Sequence, residues 1–179
     1  MTKIFIAGSR QVSRLSAEVK QRIDTMIEKD FTILVGDANG ADKAVQRYLS
    51  EKGYRDVLVH CMAGDCRNNL GNWPIREAIA KKGVHGFAYY ATKDQSMVDE
   101  ASYGLMVWDC ESKGTLNNVI NMVRQEKSVV VYLSPQNAFQ SVRSADDVTE
   151  LLGKCDRASA RRLERELGIN PVPQVALHL

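Results

Sequence analysis

The runs Lys3 to Ala7 (KIFIA) and Phe31 to Val35 (FTILV) are short, apolar and rich in β-branched residues, and each stops at a glycine before a helical pattern begins. Runs too short for a helix yet apolar throughout suit strands covered on both faces, as in a parallel sheet, and parallel neighbours require a crossover of helix length. The first crossover reads from Ser16 as an N-cap through Val19, Ile23, Met26 and Ile27 to the charged turn at Glu28 to Asp30. The second runs through Ala41, Ala44, Val45, Tyr48 and Leu49 to Gly53, a C-cap residue by type. A third strand follows at Asp56 to His60, and two more at Tyr103 to Trp108 and Ser128 to Leu133, with helices over Lys93 to Ser102 and Thr115 to Gln125. The expected fold is α/β, three layers thick, with about five parallel strands and helices on both faces.

From Met62 to Gly86 the periodicity dissolves into polar, Gly- and Asn-rich sequence with only a weak helix at Ile75 to Lys81. An insertion of this length reads as a lid or binding segment. After Pro135 the pattern offers two polar helices, near Ala145 to Leu152 and Ala158 to Leu167, and then a tail from Pro171 to Leu179. The expected division is a binding domain over 1–135, interrupted by 62–86, and a C-terminal helical extension and tail over 136–179. With 44% hydrophobic residues in 179, such a chain can close a core without metals or disulfides. Its 24 basic and 22 acidic residues are mixed along the sequence, which argues against nucleic acid or an anionic membrane as a partner drawn by the overall field. No signal segment and no membrane-length apolar run is legible, so a cytoplasmic protein is expected. Cys61, Cys66, Cys110 and Cys155 show no zinc spacing and read as free thiols, and His60, His85 and His178 are scattered, so neither a metal site nor a cofactor is expected.

In a parallel sheet the strand ends share one edge, where ligands bind. Three loops at that edge precede helices: Gly8-Ser9-Arg10, then Gly36-Asp37-Ala38-Asn39-Gly40-Ala41-Asp42, then Asp109 through Ser112-Lys113-Gly114-Thr115. Glycines let backbone N–H groups approach an anion, helix N-termini favour its charge, and Ser9, Ser112, Thr115, Arg10 and Lys113 add donors and positive charge. Neither the P-loop signature nor the dinucleotide fingerprint is present, which excludes an ordinary nucleoside triphosphatase or NAD enzyme.

These loops together resemble the Rossmann-like superfamily that groups DNA-processing Smf proteins with the LOG phosphoribohydrolases, over Lys3 to about Pro135 and outside Met62 to Gly86. The Gly36 to Asp42 loop is most similar to bacterial members carrying a GGAxGAD loop. The resemblance implies that the Gly-rich loops hold the phosphate and sugar of a nucleotide, and related folds imply a homo-oligomer. LOG enzymes carry Gly-Gly-x-Gly-Thr-x-x-Glu, whose glutamate is linked to N-glycosidic cleavage; Asn118 stands at that position here. An amide serves neither as a general base nor as a charged stabiliser, so that activity is not expected in its usual form.

Asp109, at a strand end, and Asp94, near an expected helix start, are the candidate catalytic acids. Within the insertion, Arg67 and Arg76 are candidates for phosphate, Asn69 for a base edge and Trp73 for stacking. Arg157, Arg161, Arg162 and Arg165 alternate with glutamates and read as a solvated face or an oligomer contact. The function expected from these readings is binding or sensing of a small nucleotide-like molecule. The alternative is hydrolysis or transfer at the N-glycosidic bond of a nucleoside monophosphate, with Asp109 or Asp94 in place of the missing glutamate.

Overall fold

A computed structural model describes residues 1–169, so the expected tail at Pro171 to Leu179 lies outside the described residues. Strands β1 (Lys3–Gly8), β2 (Thr32–Gly36) and β3 (Val57–Met62) alternate with helices α1 (Ala17–Glu28) and α2 (Ala41–Glu51). There follow β4 (Ile75–Ala78), α3 (Gly86–Glu100), β5 (Tyr103–Trp108), α4 (Lys113–Arg124), β6 (Val129–Leu133), β7 (Ala138–Val142), α5 (Ala145–Gly153) and α6 (Arg157–Leu167). The sheet has seven strands in the order β4-β3-β2-β1-β5-β6-β7, all parallel except the β6–β7 pair. The α/β layering stands as expected.

Period-two alternation decides which helices cover which face. Ile4, Ile6, Ile33, Val35, Leu105 and Val107 pack toward Val19, Ile23, Val45 and Leu49 of α1 and α2. Phe5, Ala7, Met106, Trp108, Val129 and Val131 pack on the other face against Met97, Leu116, Val119, Leu151 and Leu163 of α3 to α6. Strands buried on both sides need apolar residues at every position, and this is why they were legible as continuous runs. The order in which strands are added reverses between the parallel neighbours β1 and β5, and the loops leaving those two strands lead to helices on opposite faces. Such a reversal opens a crevice at the carboxyl edge.

The structure corrects the local reading in several places. Residues Ile75 to Ala78 form an edge strand where a weak helix was expected, because their pairing with Val59 to Met62 overrides a weak local pattern. Strand β7, where no element was expected, pairs antiparallel with β6. Helix α3 begins at Gly86 rather than near Lys93, so Asp94 lies inside the helix and does not cap it. Cys61 and Cys66, expected as free thiols, are joined as a disulfide with Cα atoms 5.0 Å apart, while Cys110 and Cys155 remain free. Among the described residues no helix is long and apolar enough to cross a membrane.

Candidate functional site

The crevice at the β1/β5 reversal encloses about 820 Å³ and takes residues from the loops after β1, β2 and β5 and from α3, α4 and α6. Its two walls are tied together at the base. Ser9 N donates to Val107 O and Ala41 N donates to Ser9 O, so the first loop is stitched to both neighbours. The Ser9 hydroxyl donates to Asp109 Oδ2, while Asp109 Oδ1 accepts from the backbone N–H groups of Glu111 and Ser112. Asp109 thus holds the turn in which Cys110 adopts φ +66°. Ser112 then caps α4 by accepting from Thr115 N at 3.3 Å, and the Thr115 hydroxyl donates to Ser112 Oγ. The N-terminus of α4 consequently faces the crevice with Gly114 and Thr115.

Beneath the second loop lies a charged cluster. Asp37 is 1% exposed and receives Arg67 through Nε at 3.1 Å, Nη2 at 2.7 Å and the backbone N at 3.0 Å. Burial alone would raise the Asp37 pKa, but Arg67 and Lys93 outweigh it and hold the carboxyl below the ordinary range. Lys93 is 3% exposed, donates to Asp94 Oδ1 at 2.7 Å and lies 3.8 Å from Asp37. Burial works against its charge, yet the surrounding Asp94, Asp42 and Asp37 keep Lys93 protonated above its usual range. Asp42 receives one backbone bond, from Ala38 N at 3.3 Å, and burial pushes its pKa up to about 7. Gly36 is required here because a Cβ would run into the Asp42 carboxylate and the Lys93 ammonium. Gly40 is required twice over: its φ is +85°, and a Cβ would strike the Arg10 backbone.

At the mouth, cations lie over aromatic rings. The Arg10 and Arg67 guanidiniums sit 5.4 Å and 4.6 Å from the Tyr90 ring centroid, and the Lys113 ammonium sits 4.3 Å from that of Phe87, which is 42% exposed. Arg162 closes the far side, donating to Glu111 O at 2.9 Å.

Of the residues expected at the site, Gly8, Ser9, Arg10, Ala38, Asp42 and the Ser112, Gly114, Thr115 group line the crevice with Asp94 and Asp109. Gly36, Asp37, Gly40 and Ala41 support it from beneath, and Arg67 and Lys113 reach it through the aromatic rings. Three insertion residues are engaged elsewhere. Asn69 pairs with the Trp73 backbone in both directions, Trp73 is buried with Nε1 donating to Tyr54 O, and Arg76 pairs with Glu100. Sequence reasoning missed Phe87 and placed Tyr90 and Lys93 beside Asp94 without a role of their own, because the start of α3 was not recognised; it passed over Arg162 because α6 was read as a solvated face or an oligomer contact. A carboxylate oxygen of Asp37 lies within 4.8 Å of both sulfurs of Cys61 and Cys66. Those sulfurs are joined to each other and Arg67 occupies the carboxylate, so the trio offers a cation no free ligand in this state.

Comparison with protein-family models and with curated proteins finds no match. Among solved structures the chain is similar to DNA processing protein A from Helicobacter pylori, described for its single-stranded DNA binding mode. The TM-score is 0.55 at 15% identity, over 93% of this chain and 80% of that one. This finding overturns the small-nucleotide reading and the expectation against nucleic acid as a partner. The physical reason is that a balanced total charge says nothing about where Arg10, Arg67 and Lys113 are gathered. What the similarity establishes is the fold, a Rossmann-like sheet of the kind found in DNA processing protein A.

Proposed function

We propose that this protein binds single-stranded nucleic acid across the mouth of the β1/β5 crevice. The observation that carries the reading is the pairing of cations with aromatic rings at that mouth: Arg10 and Arg67 over the half-buried Tyr90, and Lys113 over the exposed Phe87. Unstacked bases pack on such rings while the adjoining cations take backbone phosphates, a combination that suits single strands and does not require a basic protein overall. The acidic floor, with Asp42 and Asp94 around Lys93, disfavours a buried phosphate. Phosphates therefore belong at the rim with Arg10, Lys113 and the α4 N-terminus. The loop resemblance to the Smf and LOG superfamily and the fold shared with a protein that binds single-stranded DNA support the same reading.

Fluorescence anisotropy with a labelled single strand at about 50 mM salt tests it, with the duplex of the same sequence as control. Binding that favours the single strand and weakens about tenfold or more in Tyr90→Ala and Phe87→Ala is the expected result. Equal binding of duplex, or no binding of either strand, overturns it.

A further inference from the structure

Asn118 projects from α4 into the crevice and is 4% exposed. Its Nδ2 donates to Asp94 Oδ2 at 3.3 Å, and its Oδ1 is buried with no partner among the described residues. The orientation of the amide is not free. Asp94 already receives the Lys93 ammonium at 2.7 Å and remains a pure acceptor, so only the amide nitrogen can face it. Turning the amide over would set oxygen against carboxylate. The free Oδ1 is therefore held in place as an acceptor, and a buried polar atom without a partner is destabilising until a donor reaches it.

We infer that Asn118 Oδ1 sets the specificity of the crevice by accepting a hydrogen bond from an uncharged donor on the bound strand. This rests on the strand-binding reading and adds what the floor selects. The chemistry of the surroundings narrows the donor. A phosphate brings acceptors to an acceptor and is repelled by Asp94. An ammonium group has no vacancy, since Lys93 already fills the space between Asp37, Asp42 and Asp94. A neutral O–H or N–H group satisfies Oδ1 without adding charge. A single strand carries such groups in two places, the ribose 2′-hydroxyl of RNA and the base edge, where adenine, cytosine and guanine offer an exocyclic amine and uracil offers its ring N3–H.

The experiment compares octamers of uridine, 2′-O-methyluridine, deoxyuridine and deoxyadenosine by anisotropy with the native protein, then with Asn118→Leu, whose thermal unfolding is followed alongside. Preference for uridine over both its 2′-O-methyl and deoxy forms identifies the hydroxyl. Preference between deoxyadenosine and deoxyuridine identifies a base donor, the exocyclic amine if deoxyadenosine binds better and the ring N3–H if deoxyuridine does. Either preference is expected at about 3- to 10-fold, the worth of one hydrogen bond, and is expected to vanish in folded Asn118→Leu while the weaker binding remains. Affinities that ignore both donors in the native protein, or a preference that survives in Asn118→Leu, overturn the inference and leave strand binding intact. If none of the octamers binds, the strand-binding reading itself falls.

Discussion

The Ser9 hydroxyl donates to the Asp109 carboxylate, joining the loop after β1 to the loop after β5 across a separation of 100 positions. Because Asp109 also receives Glu111 N and Ser112 N, Asp109→Ala should release three donors at once. The expected cost is about 1–3 kcal/mol by urea denaturation, with Asp109→Asn recovering most of it through a retained oxygen. An unchanged midpoint in Asp109→Ala would show that the turn is held by other contacts.

Two glycines at the crevice should respond in opposite directions. Gly36→Ala drives a methyl group into Asp42 and Lys93, for an expected loss of about 1–3 kcal/mol. Gly114 lies in the first turn of α4 with nothing near its missing Cβ, so Gly114→Ala should be neutral or stabilising by up to about 1 kcal/mol. Thermal unfolding of the pair checks both.

Acidification should reveal two buried groups that compensate each other. Asp42 has its pKa raised from 3.8 to about 7, so between those values the folded state holds more protons than the unfolded, and stability rises as pH falls. His60 is buried, with Nδ1 against the Ser96 hydroxyl and Nε2 without a partner among the described residues, and burial lowers its pKa from 6.5 to about 4. Here the unfolded state takes the proton first, so stability falls as pH drops through that window. The two slopes oppose each other between about pH 4 and 6.5, and the native protein should be nearly flat there. Asp42→Asn should unmask a loss of stability on acidification and His60→Gln a gain, measured by denaturation at several pH values.

Arg67→Leu should leave Asp37 buried with only Lys93 and the backbone N–H of position 67, at a cost of about 3 kcal/mol, and a second change, Asp37→Asn, should restore part of it. A double-mutant cycle in urea measures the coupling. Additive losses would contradict the ion pair.

Thiol titration of the denatured protein should count two free cysteines before reduction and four after it, matching the Cys61–Cys66 bond and free Cys110 and Cys155. Four at the outset would place the protein in its reduced form.

The central strands were legible because burial on both faces leaves continuous apolar runs such as FTILV and YGLMVW, and the loops they feed therefore fell at the right edge. Edge strands give no such signal. Ile75, Arg76 and Glu77 of β4 are exposed, and β7 (AFQSV) is only five residues long and shows neither a continuous apolar run nor a polar/apolar alternation. Likewise Gly86-Phe87-Ala88-Tyr89-Tyr90 carries no helix-start chemistry: His85 at the N-cap makes no side-chain bond, and Gly86 adopts φ +60°. That concealed the rings that flank the crevice. Asn118 was recognised as a departure from a glutamate, but its unpartnered oxygen depends on where Asp94 and Lys93 lie, which no spacing along the chain discloses.

The reversal of the sheet between β1 and β5 also orders events in time. A chain emerging from synthesis builds β1, β2 and β3 by local crossovers, yet the second wall of the crevice waits for residues beyond Trp108 and for α6. Contacts of such long sequence separation form late and carry the largest loop-closure cost. The crevice thus needs most of the chain to be in place, and a molecule that ends before Trp108 lacks its second wall.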